Sequence, residues 1–139
     1  MNAKVADLMT ELVITTEPHV ALDHVRNVLE RNKVGAIPVV DTEGHVVGIV
    51  STTDLVPSLK GGTPVRSVMT QPVYTIPEYE DVSIAARVMR SHKIHRLVVT
   101  REQKVVGILS SFDLLQLVES HRYVAKAPPT PRAKPPRRS

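Results

Sequence analysis

Residues 44–55, GHVVGIVSTTDL, recur with few changes at residues 104–114 as KVVGILSSFDL. Two other segments recur in the same order, each 60 residues later. They are VADLMT at 5–10, repeated as VRSVMT at 65–70, and LERNKVGAIPVV at 29–40, repeated as MRSHKIHRLVVT at 89–100. Agreement in both order and spacing predicts a unit of about 60 residues that is used twice.

Each unit is predicted to run helix, strand, helix, strand, strand, helix. In the middle helix of each copy, apolar residues three and four positions apart form one face. They are Leu22, Val25, Val28 and Leu29 in the first copy, and Val82, Ala85, Ala86 and Met89 in the second. The β-rich runs that follow are IPVV with HVVGIV, and LVVT with KVVGIL, and the segment DTEG at 41–44 suits a turn between strands.

The ends of these elements carry further signals. Thr63 is expected to cap the first helix of the second copy, with Pro64 at its first position, and Asn2 is the matching cap candidate in the first copy. Pro57 is expected to end the last helix of the first copy early. Short extended segments are predicted at residues 13–15 and 73–75.

The predicted fold class is α+β. A three-stranded sheet with helices is too thin, at this unit size, to bury both of its faces. We therefore expect the two copies to pack on each other as a pseudo-twofold intramolecular pair with a cleft between them. The expected boundaries are 1–60 for the first repeat, 61–124 for the second, and 125–139 for a disordered, basic, proline-rich tail.

Charge and composition exclude several classes of protein. Five of the 18 basic residues follow Val124, so residues 1–124 carry 13 basic and 14 acidic residues and offer no basic face to nucleic acid. The absence of Cys excludes disulfide frameworks and thiolate sites. No apolar run approaches the roughly 20 residues of a membrane span. We expect a soluble, cytoplasmic protein whose tail binds polyanions only weakly.

These segments resemble the CBS domain, and the chain resembles a tandem CBS pair, also called a Bateman module. The resemblance rests on GIVSTTDL and GILSSFDL, each after a VV strand and each preceded by GAIPVVD or HRLVVT, and it covers about residues 3–122. The chain is also similar to the nucleotide-binding half of the gamma subunit of AMP-activated protein kinase. That similarity is carried by TTEPHVAL, VGAIPVVD, HRLVV and GILSSFD.

The repeated hydroxyl–acid motif has two interpretations. The spacing of Ser51 to Asp54, and of Ser110 to Asp113, is that of a capping box at a helix start. A helix N-terminus with nearby hydroxyls is also a natural anion site, and a carboxylate just inside it can accept two hydrogen bonds from a vicinal diol. The two interpretations are compatible, because ligand and cap can share the same groups.

The resemblance implies that the aspartates bind ribose, hydroxyls and cleft cations bind phosphates, and aliphatic strand residues sandwich adenine. The favoured nucleotide site is expected to hold Thr15, Thr16, His95, Arg96, Ser110 and Asp113. The second, weaker site is expected to hold Ser51, Thr53, Asp54 and Thr75. The first is favoured because the first copy has Gly35 and Ala36 where the second has a cationic pair. Phe112 departs from the kinase-subunit pattern by replacing a hydroxyl residue, and we expect it to pack in the cleft.

The expected function is regulatory sensing of an adenine nucleotide, AMP, ADP or ATP, with S-adenosylmethionine as the ligand to test beside them. No catalytic or metal-binding pattern is distinctive, because His92 and His95 lack a third ligand at fixed spacing, so we expect neither an enzyme nor a required cofactor. The expected partners are a second copy, in a homodimer, and an effector protein in trans. The alternatives are a ligand-free dimerisation scaffold and a nucleic-acid binder that acts through its basic tail.

Overall fold

The computed structural model describes residues 3–11, 14–56 and 60–120. Its elements are α1 (Val5–Leu8), β1 (Thr10–Glu11), α2 (Leu22–Asn32), β2 (Ala36–Val40), β3 (Val46–Ser51), a 3-10 turn (Thr52–Asp54), a second 3-10 turn (Val65–Ser67), β4 (Thr75–Pro77), α3 (Val82–His92), β5 (Arg96–Arg101), β6 (Lys104–Ser110) and α4 (Ser111–Ser120). The α+β class is confirmed. Predictions on Asn2, Val13, Pro57 and the tail fall outside the described residues. Within them, no helix has the length and apolar character needed to cross a bilayer.

Each repeat is built on one antiparallel hairpin. β2 pairs with β3 and β5 pairs with β6. The predicted turn over 41–44 is confirmed, because Asp41 Oδ1 accepts the N–H groups of Glu43 and His45, each at 2.9 Å, and Gly44 takes the left-handed φ of 87°. The hydrogen bond from the His45 backbone is the main reason that the pKa of Asp41 lies below its ordinary value.

The middle helices pack as their apolar patterns predict. Leu22, Val25 and Leu29 of α2 are buried, and so are Val82, Ala85 and Met89 of α3. Val28 and Ala86 are half-buried at the edges of the same faces. The apolar faces of α2 and α3 therefore cover the two hairpins. Most residues of each core can be predicted from local periodicity.

Two element boundaries differ from the sequence prediction. Pro64, and not Thr63, stands at the cap position of the 3-10 turn, and no side chain caps it. The prediction was wrong because carbonyl groups of the first repeat accept the hydrogen bonds that a cap would have accepted. Val65 N–H donates to Val20 O at 2.8 Å, and Arg66 N–H donates to Pro18 O at 3.0 Å. The strand predicted at 73–75 lies instead at Thr75–Pro77, where parallel pairing with β5 sets its register.

The first segment of each repeat packs into the core of the other. Val5 of α1 is fully buried in the cluster that contains Leu97 and Leu109, whereas Val65 is fully buried in the cluster that contains Leu22 and Val50. β1 pairs with β6, and Thr70 forms the equivalent bridge to Ile49. This exchange confirms the predicted pseudo-twofold pair and shows that each core needs residues from both repeats.

A methionine from each exchanged segment lies over a glycine of the other repeat's hairpin. A Cβ at Gly48 would come within 2.5 Å of Met69 Sδ. A Cβ at Gly107 would come within 2.6 Å of Thr10 O and 2.8 Å of Met9 Sδ. The repeated VVGI sequence therefore leaves room for the exchanged segment, and core packing accounts for both methionines.

We predict that Gly107→Ala lowers the free energy of unfolding by about 1–3 kcal/mol, the usual range for an overpacked core. Gly48→Ala should cost less, because the group it meets is a methionine side chain and not a backbone carbonyl. Urea unfolding followed by circular dichroism measures both. Gly62→Ala is the control, since a Cβ there meets nothing within 4 Å. Equal midpoints for Gly107→Ala and Gly62→Ala would show that the glycine is not required.

Candidate functional site

A cleft of about 610 Å³ lies where the two repeats meet. One wall comes from the first repeat, where α2 ends and β2 begins. The other comes from the second repeat, where β5 begins, β6 ends and α4 starts. Val34, Ala36 and Ile108 give the cleft an apolar floor, and Ala36 and Ile108 belong to a small buried cluster that joins the repeats. The volume lies within the range of roughly 300–1,000 Å³ that is usual for small-molecule sites.

The open end of the second hairpin brings the polar residues of this cleft together. Arg96 at the start of β5 lies directly opposite Ser110 at the end of β6. Ser111 N–H donates to His95 O at 2.8 Å, and Ser111 Oγ lies 3.3 Å from His95 Nδ1. These bonds hold the first turn of α4 against the loop before β5, so that Asp113 also borders the cleft.

Both hydroxyl–acid motifs form caps. Asp113 Oδ2 accepts the Ser110 N–H at 2.8 Å, and Ser110 Oγ accepts the Asp113 N–H at 3.0 Å. In the first repeat, Asp54 Oδ2 accepts the Ser51 N–H at 2.9 Å. The capping interpretation is therefore confirmed, but each cap uses only Oδ2. Within the described part of the chain, no hydrogen bond engages Oδ1 of either aspartate, so a second acceptor is available to a ligand.

A smaller cleft of about 250 Å³ is related to the larger one by the pseudo-twofold axis. Ser51 and Asp54 of the first repeat border it, together with Lys93, His95 and Arg96 of the second. Because His95 and Arg96 also border the larger cleft, the two clefts share the same imidazole and guanidinium groups. The sequence assigned this pair to the favoured site alone.

The structure brings together four of the six residues predicted for the favoured site, namely His95, Arg96, Ser110 and Asp113. Thr15 and Thr16 are not among the residues that border this cleft. Thr16 is buried, its N–H donates to Pro38 O and its carbonyl accepts from Val40 N–H, so its backbone is used against β2.

In the second site, Ser51 and Asp54 come together, whereas Thr53 and Thr75 do not border the smaller cleft. Thr53 Oγ1 lies 2.8 Å from Ser51 Oγ, so its hydroxyl supports the cap. Thr75 lies in β4, where it pairs with Val98. Ligand contact by all of the predicted site residues stays a prediction.

Sequence reasoning missed several cleft residues, and two of them recur at equivalent positions of both repeats. Thr10 and Lys33 border the larger cleft, and their repeat equivalents, Thr70 and Lys93, border the smaller one. The available signal was their identity at equivalent positions of the two copies, where most polar residues differ.

The expectation for Phe112 needs correction. Its side chain is 76% exposed, so the ring stands at the rim of the larger cleft and does not pack inside it. The first turn of α4 directs this ring outward because Ser110 and Asp113 are held inward by their reciprocal cap.

The histidines near the cleft have other neighbours. The His92 ring stacks on Tyr74 at a centroid distance of 4.1 Å. The residues described by the structure contain no cluster of three or more His, Asp or Glu side chains placed to hold a metal ion. The cationic and hydroxyl groups of the clefts are therefore suited to an anion, with the aspartates suited to hydroxyl donors.

Comparison with known proteins identifies the fold family. The family model of the CBS domain matches residues 5–61 and again residues 65–120. The chain belongs to the CBS-domain family. Its two CBS domains are the two sequence repeats, joined by the exchange of their first segments.

Relatives of this CBS pair differ in length. It is 37% identical over 109 residues to inosine-5'-monophosphate dehydrogenase of Halobacterium salinarum, a match that covers 76% of this chain and 22% of the relative. It is 36% identical over 123 residues to YlbB of Bacillus subtilis, covering 80% of this chain and 79% of that protein. The chain spans only 22% to 32% of the length of the dehydrogenase and of three other long relatives.

Among solved structures, the CBS pair is similar to the CBS domain pair of protein MJ0100 in complex with 5'-methylthioadenosine and S-adenosyl-L-methionine. The TM-score is 0.74 at 26% identity, and the alignment covers 86% of this chain and 98% of the other. A CBS pair of this fold can thus hold adenosine-containing ligands.

We predict that Asp113→Ala destabilises the ligand-free protein by about 1 kcal/mol, because the Ser110 N–H loses its acceptor. Asp113→Asn keeps an acceptor at that position and should cost less than about 0.5 kcal/mol. Urea unfolding without ligand compares the two variants. Equal losses would show that the cap depends on the charge of Asp113 and not on its acceptor.

Proposed function

We propose that this CBS pair is a regulatory module that binds an adenine nucleotide, AMP, ADP or ATP, in the cleft between its repeats and signals to a partner protein in trans. The observation that carries the proposal is the composition of the larger cleft. One 610 Å³ space combines an apolar floor, a carboxylate with an unused oxygen, and cationic side chains.

The apolar floor suits the base. Val34 and Ala36 come from the first repeat and Ile108 from the second, so a flat ring placed between them contacts both repeats. Burial of an aromatic ring against aliphatic side chains is favourable and does not require aromatic partners. This is the arrangement that the low aromatic content of the chain allows.

The carboxylate suits the ribose. Asp113 Oδ2 is held by the Ser110 N–H, which fixes the orientation of the carboxylate before any ligand binds. In this proposal, its second oxygen accepts hydrogen bonds from the ribose hydroxyls. Because the cap is already formed, binding needs little ordering of this side chain.

The cationic side chains favour a nucleotide over S-adenosylmethionine. Arg96 and His95 border the cleft at the open end of the hairpin, where guanidinium can hold phosphate in bidentate fashion. S-adenosylmethionine would instead place a sulfonium cation near them. The complex of MJ0100 supports binding of an adenosine moiety. The cationic side chains of this cleft support binding of a phosphate group attached to that adenosine.

His95 and Arg96 also connect the proposed ligand to helix α4. His95 is bonded to Ser111, the first residue of α4, so phosphate bound at His95 and Arg96 acts on the start of that helix. A ligand shifts an equilibrium only when it binds one arrangement more tightly than the other. We infer that the position of α4 is what the ligand selects.

α4 also supports a homodimer. Phe112, Leu115 and Val118 are 76%, 54% and 51% exposed, and their spacing of three residues places them on one side of the helix. A second copy that presents the same stripe would bury both. A dimerisation scaffold without ligand is the second candidate function, since both caps are complete in the protein alone.

The nucleotide proposal is tested by isothermal titration of AMP, ADP, ATP and S-adenosylmethionine, together with mass spectrometry of small molecules that co-purify with the protein. We expect Asp113→Asn to weaken nucleotide binding by at least ~10-fold, the effect of losing a charged hydrogen bond. Asp54→Asn should leave the tighter site unchanged. Absence of binding by any of the four ligands, with nothing co-purifying, would leave the scaffold as the better account.

The dimer is tested by light scattering after size exclusion. Leu115→Glu should give a monomer, because a charge would be buried in the α4 contact. Gln116→Glu is the matched control: it adds the same charge at the neighbouring exposed position of α4 and should remain a dimer. A monomeric wild-type chain, or a dimer in Leu115→Glu, would place the contact elsewhere.

A further inference from the structure

A further cavity, of about 510 Å³, forms a groove between α3 and α4. Its floor is made by Ala86 and Met89 of α3, Ile94 before β5 and Leu114 of α4. Met89 is buried, and the other three side chains are half-buried, so the groove exposes an apolar surface. A partner that covered this floor with apolar side chains would gain free energy from the burial.

Cationic side chains border this apolar floor. Arg90 and Lys93 line the groove together with the imidazole of His95, and no acidic side chain of the described residues lines it. Within the same part of the chain, neither Arg90 nor Lys93 forms an ion pair. α3 contains no Asp or Glu, whereas the equivalent helix α2 contains Asp23 and Glu30. The groove therefore presents positive charge that is not neutralised beside an apolar surface.

The charge of the groove determines which occupant fits it. The sequence after Ser120 contains Arg and Lys but no Asp or Glu, so the tail is repelled by the groove. A second copy offers little free negative charge, because Asp113 of α4 is engaged in its cap and the acidic and basic residues of α2 cancel. A partner with carboxylates around an apolar face complements both parts of the groove.

The shape of the groove favours a helix as its occupant. Two packed helices leave between them a groove that accepts the apolar face of a third, amphipathic helix. The groove uses Ser111 and Leu114 of α4, whereas the proposed dimer contact uses Phe112, Leu115 and Val118. The two surfaces therefore involve different residues of α4 and respond to different substitutions.

We propose that the groove between α3 and α4 docks an acidic amphipathic helix of a partner protein. The apolar side chains of that helix lie on the floor, and its carboxylates pair with Arg90 and Lys93. The inference deepens the proposed function by giving the chemistry of the partner, and it rests on that function only for the effect of nucleotide. The groove shares His95 and Ser111 with the larger cleft. Phosphate bound in that cleft would neutralise positive charge at the groove and so weaken partner binding.

The test is fluorescence polarisation of the full chain with a labelled helical peptide that carries leucine on one side and glutamate on the other. Arg90→Glu should weaken binding by at least ~10-fold, the size expected for one charged hydrogen bond. Because Arg90 is exposed, its substitution should leave the fold intact, which circular dichroism checks. Arg66→Glu is the matched control and should stay within about twofold of the wild type, since distant charges are screened. Arg66 is an exposed arginine that borders neither the groove nor the two clefts.

Three further peptides test the chemistry of the occupant. Lysine in place of glutamate, or serine in place of leucine, should weaken binding by at least ~10-fold. A peptide of residues 121–139 should also bind more weakly than the glutamate peptide, because it is basic. Tighter binding of that peptide would assign the groove to the tail of this chain, and equal binding of the glutamate and lysine peptides would overturn the role of charge.

Two more outcomes would overturn the proposal. One is the absence of glutamate-peptide binding at concentrations up to about 1 mM, or an equal loss of binding in Arg90→Glu and Arg66→Glu. The other is a wild-type dimer that becomes monomeric in Arg90→Glu by light scattering, which would show that a second copy occupies the groove.

The effect of nucleotide is tested by repeating the titration with saturating AMP. The affinity for the glutamate peptide should fall by about fivefold, the lower end of the usual coupling between two sites. Peptide binding by a protein that does not bind AMP would overturn the proposed function and not the groove. AMP binding without peptide binding would overturn the groove alone. Binding of both, with neither affecting the other, would overturn the link between groove and cleft.

Discussion

The exchange of the first segments between the repeats is the contact on which the rest of the structure depends. Val5 completes the core of the second repeat and Val65 completes the core of the first. Burial of apolar surface holds each segment in place, and Gly48 and Gly107 admit the methionines that follow. Neither repeat can bury its own core without the other, so their relative position is fixed. The clefts are a consequence, because both lie where fixed walls from different repeats meet.

A fixed junction explains why the caps and the proposed ligand contacts coexist. The carboxylates of Asp54 and Asp113 are oriented by backbone N–H groups of their own repeat. Both aspartates border space whose opposite wall belongs to the other repeat. Local hydrogen bonding thus stabilises the helix start, and the junction supplies the remaining partners of a ligand. In the proposed function, the capping box and the binding site are two uses of one carboxylate, one for each of its two oxygens.

The sequence predicted what local patterns determine. Hydrophobic periodicity predicts the hairpins and the buried faces of α2 and α3. Turn-forming residues predict the turn at 41–44, and the spacing of Ser and Asp predicts both caps. The prediction from sequence failed where contacts between residues far apart in the chain determine the local structure. The segment at Thr63 needed no cap, because the first repeat accepts its hydrogen bonds. Ligand contact by Thr16 rests on the family resemblance and not on a local pattern, and it stays a prediction. Lys33 is an ordinary surface cation in the sequence, and only its φ and its place beside the cleft distinguish it.

The duplicated clefts differ in one respect that bears on regulation. His95 and Arg96 border both, whereas Gly35 and Ala36, their equivalents in the first repeat, carry no charge. In the proposed function, phosphate bound in one cleft would partly neutralise the guanidinium that faces the other. The second phosphate would then bind more weakly. Had both repeats kept a cationic pair, each cleft could fill independently. In the proposed function, one shared pair would instead make the occupancy of each cleft depend on the other, and both ligands would act on α4 through the same bond between His95 and Ser111.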